Sequence, residues 1–75
     1  PLKTTVWCST DEQGLILHHI NDEGVIDLFD IRGRMLATLP CKPGDMRIPL
    51  SSGSVVLWRF TGHDGRSTSA MAVIP

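Results

Sequence analysis

The chain has 75 residues, 41% of them hydrophobic and 20% charged, which suffices for one small domain and leaves no room for a second core. Seven Lys and Arg against eight Asp and Glu give a net charge of −1, so no cationic surplus exists to neutralise a nucleic-acid backbone or to hold an anionic membrane surface. A domain of this size buries only about 60% of the surface its unfolded chain exposes, and an internal active-site cavity would subtract from that small core, which argues against an autonomous enzyme.

No apolar run approaches the roughly 18 residues of a membrane span, and the opening Pro1-Leu2-Lys3-Thr4-Thr5 lacks the hydrophobic region of a signal peptide. The chain does not begin with Met and starts within sequence of ordered character, so it reads as a piece of a longer protein. Glycines at 14, 24, 33, 44, 53, 62 and 65, with Pro40, Pro43 and Pro49, divide it into short apolar segments. That is a strand rhythm, and no segment has the period or length of a convincing helix.

Seven antiparallel strands are expected. The first runs from Thr4 to Ser9, where Thr-Thr-Val-Trp favours extended backbone. The second, Leu15 to Ile20, carries His18 and His19, which on a regular strand face opposite sides and cannot jointly hold one ion. After a loose turn at Asn21–Gly24, the segment Val25 to Ile31 puts Val25, Asp27, Phe29 and Ile31 on one face and Ile26, Leu28 and Asp30 on the other. Apolar groups on both faces predict a central strand.

Asp30-Ile31-Arg32-Gly33-Arg34 reads as a tight hairpin turn into Met35 to Leu39. The Asp30 carboxylate can accept a backbone N–H two residues on, and Gly33 tolerates a positive φ. A looser turn at Lys42–Asp45 leads to Asp45 to Leu50. The segment Val55 to Thr61 is again apolar on both faces and predicts a second central strand. Gly62-His63-Asp64-Gly65 then forms a hairpin, Asp64-Gly65 being the strongest such dipeptide in the chain. In the last strand, Ser67 to Ile74, the polar first half is expected on the solvent side.

Residues that could carry chemistry are sparse. Cys8 and Cys41 are too few for a zinc site and form no CxxC pair; they read as small buried hydrophobes, with a disulfide left open if the protein is exported. His63 lies far along the chain from His18 and His19. Asp27 and Asp30, three apart, face opposite sides and do not make a glycosidase carboxylate pair. Asp11-Glu12 and Asp22-Glu23 read as solvated turn acids without the spaced acids of a calcium loop. Ser9, Ser51, Ser52 and Ser54 stand in no GxSxG context, and the glycines form no phosphate-binding loop. No catalytic residue, metal or cofactor is therefore expected. With two Phe and no Tyr in the chain, Trp7 and Trp58 are natural core fillers. The alternative is that one of them is exposed and stacks on a sugar ring.

The run Val25-Ile26-Asp27-Leu28-Phe29-Asp30-Ile31-Arg32-Gly33-Arg34-Met35-Leu36-Ala37-Thr38-Leu39 resembles a hallmark of C-terminal modules on secreted Bacteroidetes-type proteins. In those modules a hydrophobic strand ends in a (Y/F)D-x-x-GR turn followed by a V-x-x-L strand. Ile48-Pro49-Leu50-Ser51-Ser52-Gly53 is similar to the I-D-L-S…S-G segment of the same modules. Gly53 to Phe60 resembles their G-x-Y-x-x-R strand, and Thr61–Arg66 with Ala70–Ile74 resembles their closing hairpin. The likeness covers roughly residues 4 to 74 and extends to related immunoglobulin-like modules such as that of the flagellar hook-capping protein.

What the resemblance implies is a type IX secretion C-terminal sorting domain: a small immunoglobulin-like β-sandwich, read by secretion-machinery proteins at the outer membrane. It implies a single module over residues 1 to 75, the C-terminal fragment of a larger exported protein that reaches the surface or the medium through the periplasm. The docking surface expected from it combines Asp30, Arg32, Gly33 and Arg34 of one turn with Asp64, Gly65 and Arg66 of the other, and open sheet edges leave weak homodimerisation conceivable. The competing expectation is a carbohydrate-binding or structural accessory module of a polysaccharide-degrading enzyme, with Trp7 or Trp58 as the stacking platform.

Overall fold

The computed structural model describes residues 6–75. Seven strands and no helix make up this part of the chain: β1 (Trp7–Asp11), β2 (Gly14–Ile20), β3 (Gly24–Phe29), β4 (Met35–Cys41), β5 (Gly44–Pro49), β6 (Val55–Gly62) and β7 (Ser67–Val73). All pairings are antiparallel, in a three-stranded sheet of order β1-β2-β5 and a four-stranded sheet of order β4-β3-β6-β7. The chain is a small antiparallel β-sandwich in which the fourth strand pairs with the third and so belongs to the larger sheet.

The strand alternation explains the layering. Ile26 and Leu28 of β3 face inward beside Val56, Trp58 and Phe60 of β6, with Ala72 and Ile74 from the last segment. Leu15, Leu17 and Ile20 of β2 and Ile48 of β5 close the core from the other sheet. The strands apolar on both faces, β3 and β6, are the two central strands of the larger sheet, as expected. Trp58 is only 1% exposed and is the largest side chain of the core. Its Nε1–H is buried without an acceptor among the described residues.

β1 runs two residues past its expected end, to Asp11, and two later strand ends shift by two residues for local reasons. β3 stops at Phe29 because Asp30 N–H bonds to Arg34 O and Gly33 N–H to Asp30 O, which close the turn two residues early. β4 runs on through Pro40 to Cys41 at the outer edge of the sheet, where a missing N–H is tolerated. Thr4 and Thr5, the expected start of the first strand, lie outside the described residues. Cys8 on β1 and Cys41 on β4 are both unbridged, and burial pushes the Cys41 thiol pKa up, which keeps it protonated. Among the described residues no helix is long and apolar enough to cross a membrane.

Candidate functional site

The two Asp-Gly turns are built alike. At the β3–β4 turn, Asp30 Oδ1 accepts the N–H groups of Arg32 and Arg34, each at 2.9 Å, while Gly33 takes φ +88°. At the β6–β7 turn, Asp64 Oδ1 accepts the Arg66 N–H at 3.0 Å, Gly62 N–H bonds to Arg66 O, and Gly65 takes φ +84°. In each, a short carboxylate replaces a missing backbone partner and glycine supplies a left-handed residue without steric cost. Arg32, Arg34 and Arg66 are left exposed, and Ile31, Met35 and Leu36 around the first turn are 70%, 52% and 53% exposed.

The expectation that these turns form one surface is incorrect. In the β3–β6 ladder Gly24 is opposite Gly62 and Phe29 opposite Leu57, so the turn after Phe29 and the turn after Gly62 sit at opposite ends of the sheet. At the rise of a strand they are roughly 16 Å apart. Asp30, Arg32, Gly33 and Arg34 remain one group; Asp64, Gly65 and Arg66 are another. The second turn instead meets the β2–β3 connection, where His63 N–H bonds to Glu23 O and to Asp22 Oδ2.

The outer face of the three-stranded sheet gathers residues that the sequence left apart. Trp7 pairs with His18 across β1–β2, and the indole stacks on the imidazole with ring centroids 4.0 Å apart. Its expected place in the core is therefore wrong: Trp7 is 49% exposed. Trp58, being buried, drops out as a stacking platform for a sugar. The rule that His18 and His19 face opposite sides also fails. The β2–β5 register shifts between Leu17 and Ile20, and His19 adopts φ +61°, a bulge that turns its ring towards Trp7 as well, at 6.0 Å.

Ser9 Oγ–H donates to His18 Nε2 at 2.8 Å, and His18 Nδ1–H donates to Asp45 Oδ2 at 3.3 Å. This tautomer is the one in which the Asp45 carboxylate accepts from Nδ1 and leaves Nε2 as the acceptor for Ser9. The second Asp45 oxygen accepts the His19 N–H at 3.3 Å, so the bulged backbone orients the carboxylate. Beside this chain of bonds, Arg47 makes a two-point contact with Asp11 at 3.1 and 2.9 Å. That guanidinium holds the Asp11 carboxyl below the usual carboxylate range. Sequence inspection missed the Ser9–His18–Asp45 set because its members are separated by nine and 27 positions and lie on three strands. The one available signal is on β5, where Asp45 and Arg47 alternate with Met46 and Ile48 and so mark an outer face but not its neighbours; β1 and β2 show no such alternation. Among the described residues, no three His, Cys, Asp or Glu side chains come together as metal ligands.

Fold and site together define a small antiparallel β-sandwich with two Asp-anchored turns, of which the β3–β4 turn carries a net positive charge, and one polar, Trp-bearing sheet face. Comparison with protein-family models, curated proteins and solved structures finds no match.

Proposed function

We propose that this chain is a non-catalytic recognition module that directs an exported protein through type IX secretion to the cell surface, by way of the periplasm. The observation that carries the proposal is the Phe29-Asp30-Ile31-Arg32-Gly33-Arg34 turn. The segment that most resembles the sorting domains is held rigid by Asp30 and displays Arg32 and Arg34 next to exposed Ile31, Met35 and Leu36. A mixed cationic and apolar tip on a fixed backbone suits docking to a protein of the secretion machinery, because little side-chain or loop ordering is then lost on binding. No cofactor, nucleic acid or membrane insertion enters this reading.

The test is a reporter fused ahead of the chain in a type IX-competent host. The intact segment delivers the reporter to the surface, deletion of residues 55–75 abolishes delivery, and the double variant Arg32→Ala/Arg34→Ala lowers it several-fold with the fold intact. Retention of the intact fusion in the periplasm overturns the proposal.

A second reading is favoured by the exposure of Trp7. A half-exposed indole on a flat sheet face, with Asp45 and His19 alongside, is a platform on which a sugar ring can stack while hydroxyls meet the carboxylate. Neutral oligosaccharide binding that weakens at least about 10-fold in Trp7→Ala would support an accessory glycan-binding module. Absence of binding to a panel of such glycans removes that reading.

A further inference from the structure

We propose that Ser9 is a nucleophile, activated by His18 and oriented through Asp45, that takes an acyl group from an activated ester. The hydrogen-bond order is that of a nucleophile, a base and a carboxylate: Ser9 Oγ to His18 Nε2 at 2.8 Å, and His18 Nδ1 to Asp45 Oδ2 at 3.3 Å. Such a set is recognised by geometry and roles rather than by position in the chain. Three further features hold it in place. Trp7 covers one face of the His18 ring at 4.0 Å and restrains its rotation. The bulge at His19 donates a backbone N–H to Asp45, fixing the carboxylate that selects the tautomer. Ser9 lies on β1 two residues from Trp7, so both side chains rise from the same face and the indole forms an apolar wall beside the hydroxyl.

In the step, Ser9 Oγ attacks the carbonyl carbon of the ester and His18 Nε2 takes the hydroxyl proton. The bond from that carbon to the leaving oxygen breaks, and the leaving alcohol or phenol takes the proton back from the imidazolium. The products are O-acyl Ser9 and a free phenol, with His18 neutral again. The backbone N–H groups of β1 lie in the plane of the sheet, whereas Oγ stands off its face, so no backbone donor of β1 is aimed at the developing oxyanion. Asp45 is 64% exposed in its side chain, which weakens its hold on the imidazolium. The acceptor is thus suited to esters with good leaving groups, and the acyl group stays on Ser9 because hydrolysis would need that missing stabilisation. Ser9 is a stoichiometric acylation site, compatible with a recognition module.

The probe is p-nitrophenyl acetate, followed by peptide mass spectrometry after neutral hydroxylamine, which removes thioesters from Cys8 and Cys41 and leaves a serine ester. Ser9 should be acetylated about 100-fold faster than the exposed Ser69, the lower range of what a positioned general base supplies. His18→Phe keeps a ring stacked on Trp7 and removes the base; it should abolish that advantage while leaving thermal unfolding nearly unchanged. Asp45→Asn should lower the Ser9 rate several-fold, and Ser69→Ala should leave it alone. Acetylation of Ser9 no faster than of Ser69, or at an equal rate in a folded His18→Phe variant, overturns the proposal.

Discussion

The two outer faces of the sandwich contrast sharply, although the two inner faces are equally apolar. The three-stranded sheet shows solvent Trp7, Ser9, Asp11, His18, Asp45 and Arg47, nearly all in hydrogen bonds or ion pairs with one another. The four-stranded sheet shows Val25, Val55, Met71 and Val73, all more than a third exposed, with half-buried Phe29 and Leu57 among them. That apolar stripe ends at a polar set, Asp27, which is 9% exposed and bonded to Thr38 at 3.0 Å and to Arg59 at 3.0 Å, with Ser69 opposite Arg59. Folding needs only the inner faces, so each outer face is free to be specialised, one for polar chemistry and the other for apolar contact.

The sharpest way to break this inner–outer distinction is through the two tryptophans. Trp58→Ala should cost about 3–5 kcal/mol, close to the whole stability of a domain this small, whereas Trp7→Ala should cost under about 1 kcal/mol. Trp58→Phe should fall between them, since it keeps much of the volume and removes an unpaired buried donor. Urea unfolding followed by circular dichroism checks all three, and equal losses at Trp7 and Trp58 would erase the contrast.

The carboxylates give the next largest difference. Asp27→Ala removes the buried carboxylate that Thr38 and Arg59 share and should cost about 1 kcal/mol, with both partners free to turn to water; Asp45→Ala, whose carboxylate is already mostly exposed, should stay within about 0.5 kcal/mol. At the turns, Asp30→Ala loses two backbone partners and should lower stability by about 1 kcal/mol. Asp64→Ala loses one such partner and should matter less.

The smallest effect is the pH response of the Asp11–Arg47 pair. Because the folded state holds the Asp11 carboxyl below its ordinary value, chiefly through the Arg47 hydrogen bond, folding favours the ionised form. That contribution is full above the unfolded pKa and disappears as pH falls through the lower folded one. Arg47→Ala should therefore destabilise slightly at neutral pH and not at all at strongly acid pH, and in an NMR titration the Asp11 carboxyl should move back up.

Much of this architecture was legible because it is local. Gly and Pro spacing, β-branched runs and Asp-x-x-Gly turns act over a few residues, so each strand from β2 onward starts or ends within two residues of its expected place. The doubly apolar segments could be read as central strands for the same reason: a side chain's neighbours along the strand reveal both faces at once. The alternation rule failed at His18-His19, where one left-handed residue re-aims a ring, and residue type failed at Trp7, which a composition with two Phe and no Tyr would have sent to the core.

By itself, then, the sequence determined an all-β sandwich, the shape of its Asp-anchored turns and the identity of its central strands. Only the tertiary structure decided that the two turns part to opposite ends, that Trp7 stays in water, and that Ser9, His18 and Asp45 meet. Those outcomes depend on which strands pair and in what register, and register is set by hydrogen bonds and burial between segments far apart in the chain, which no local pattern encodes.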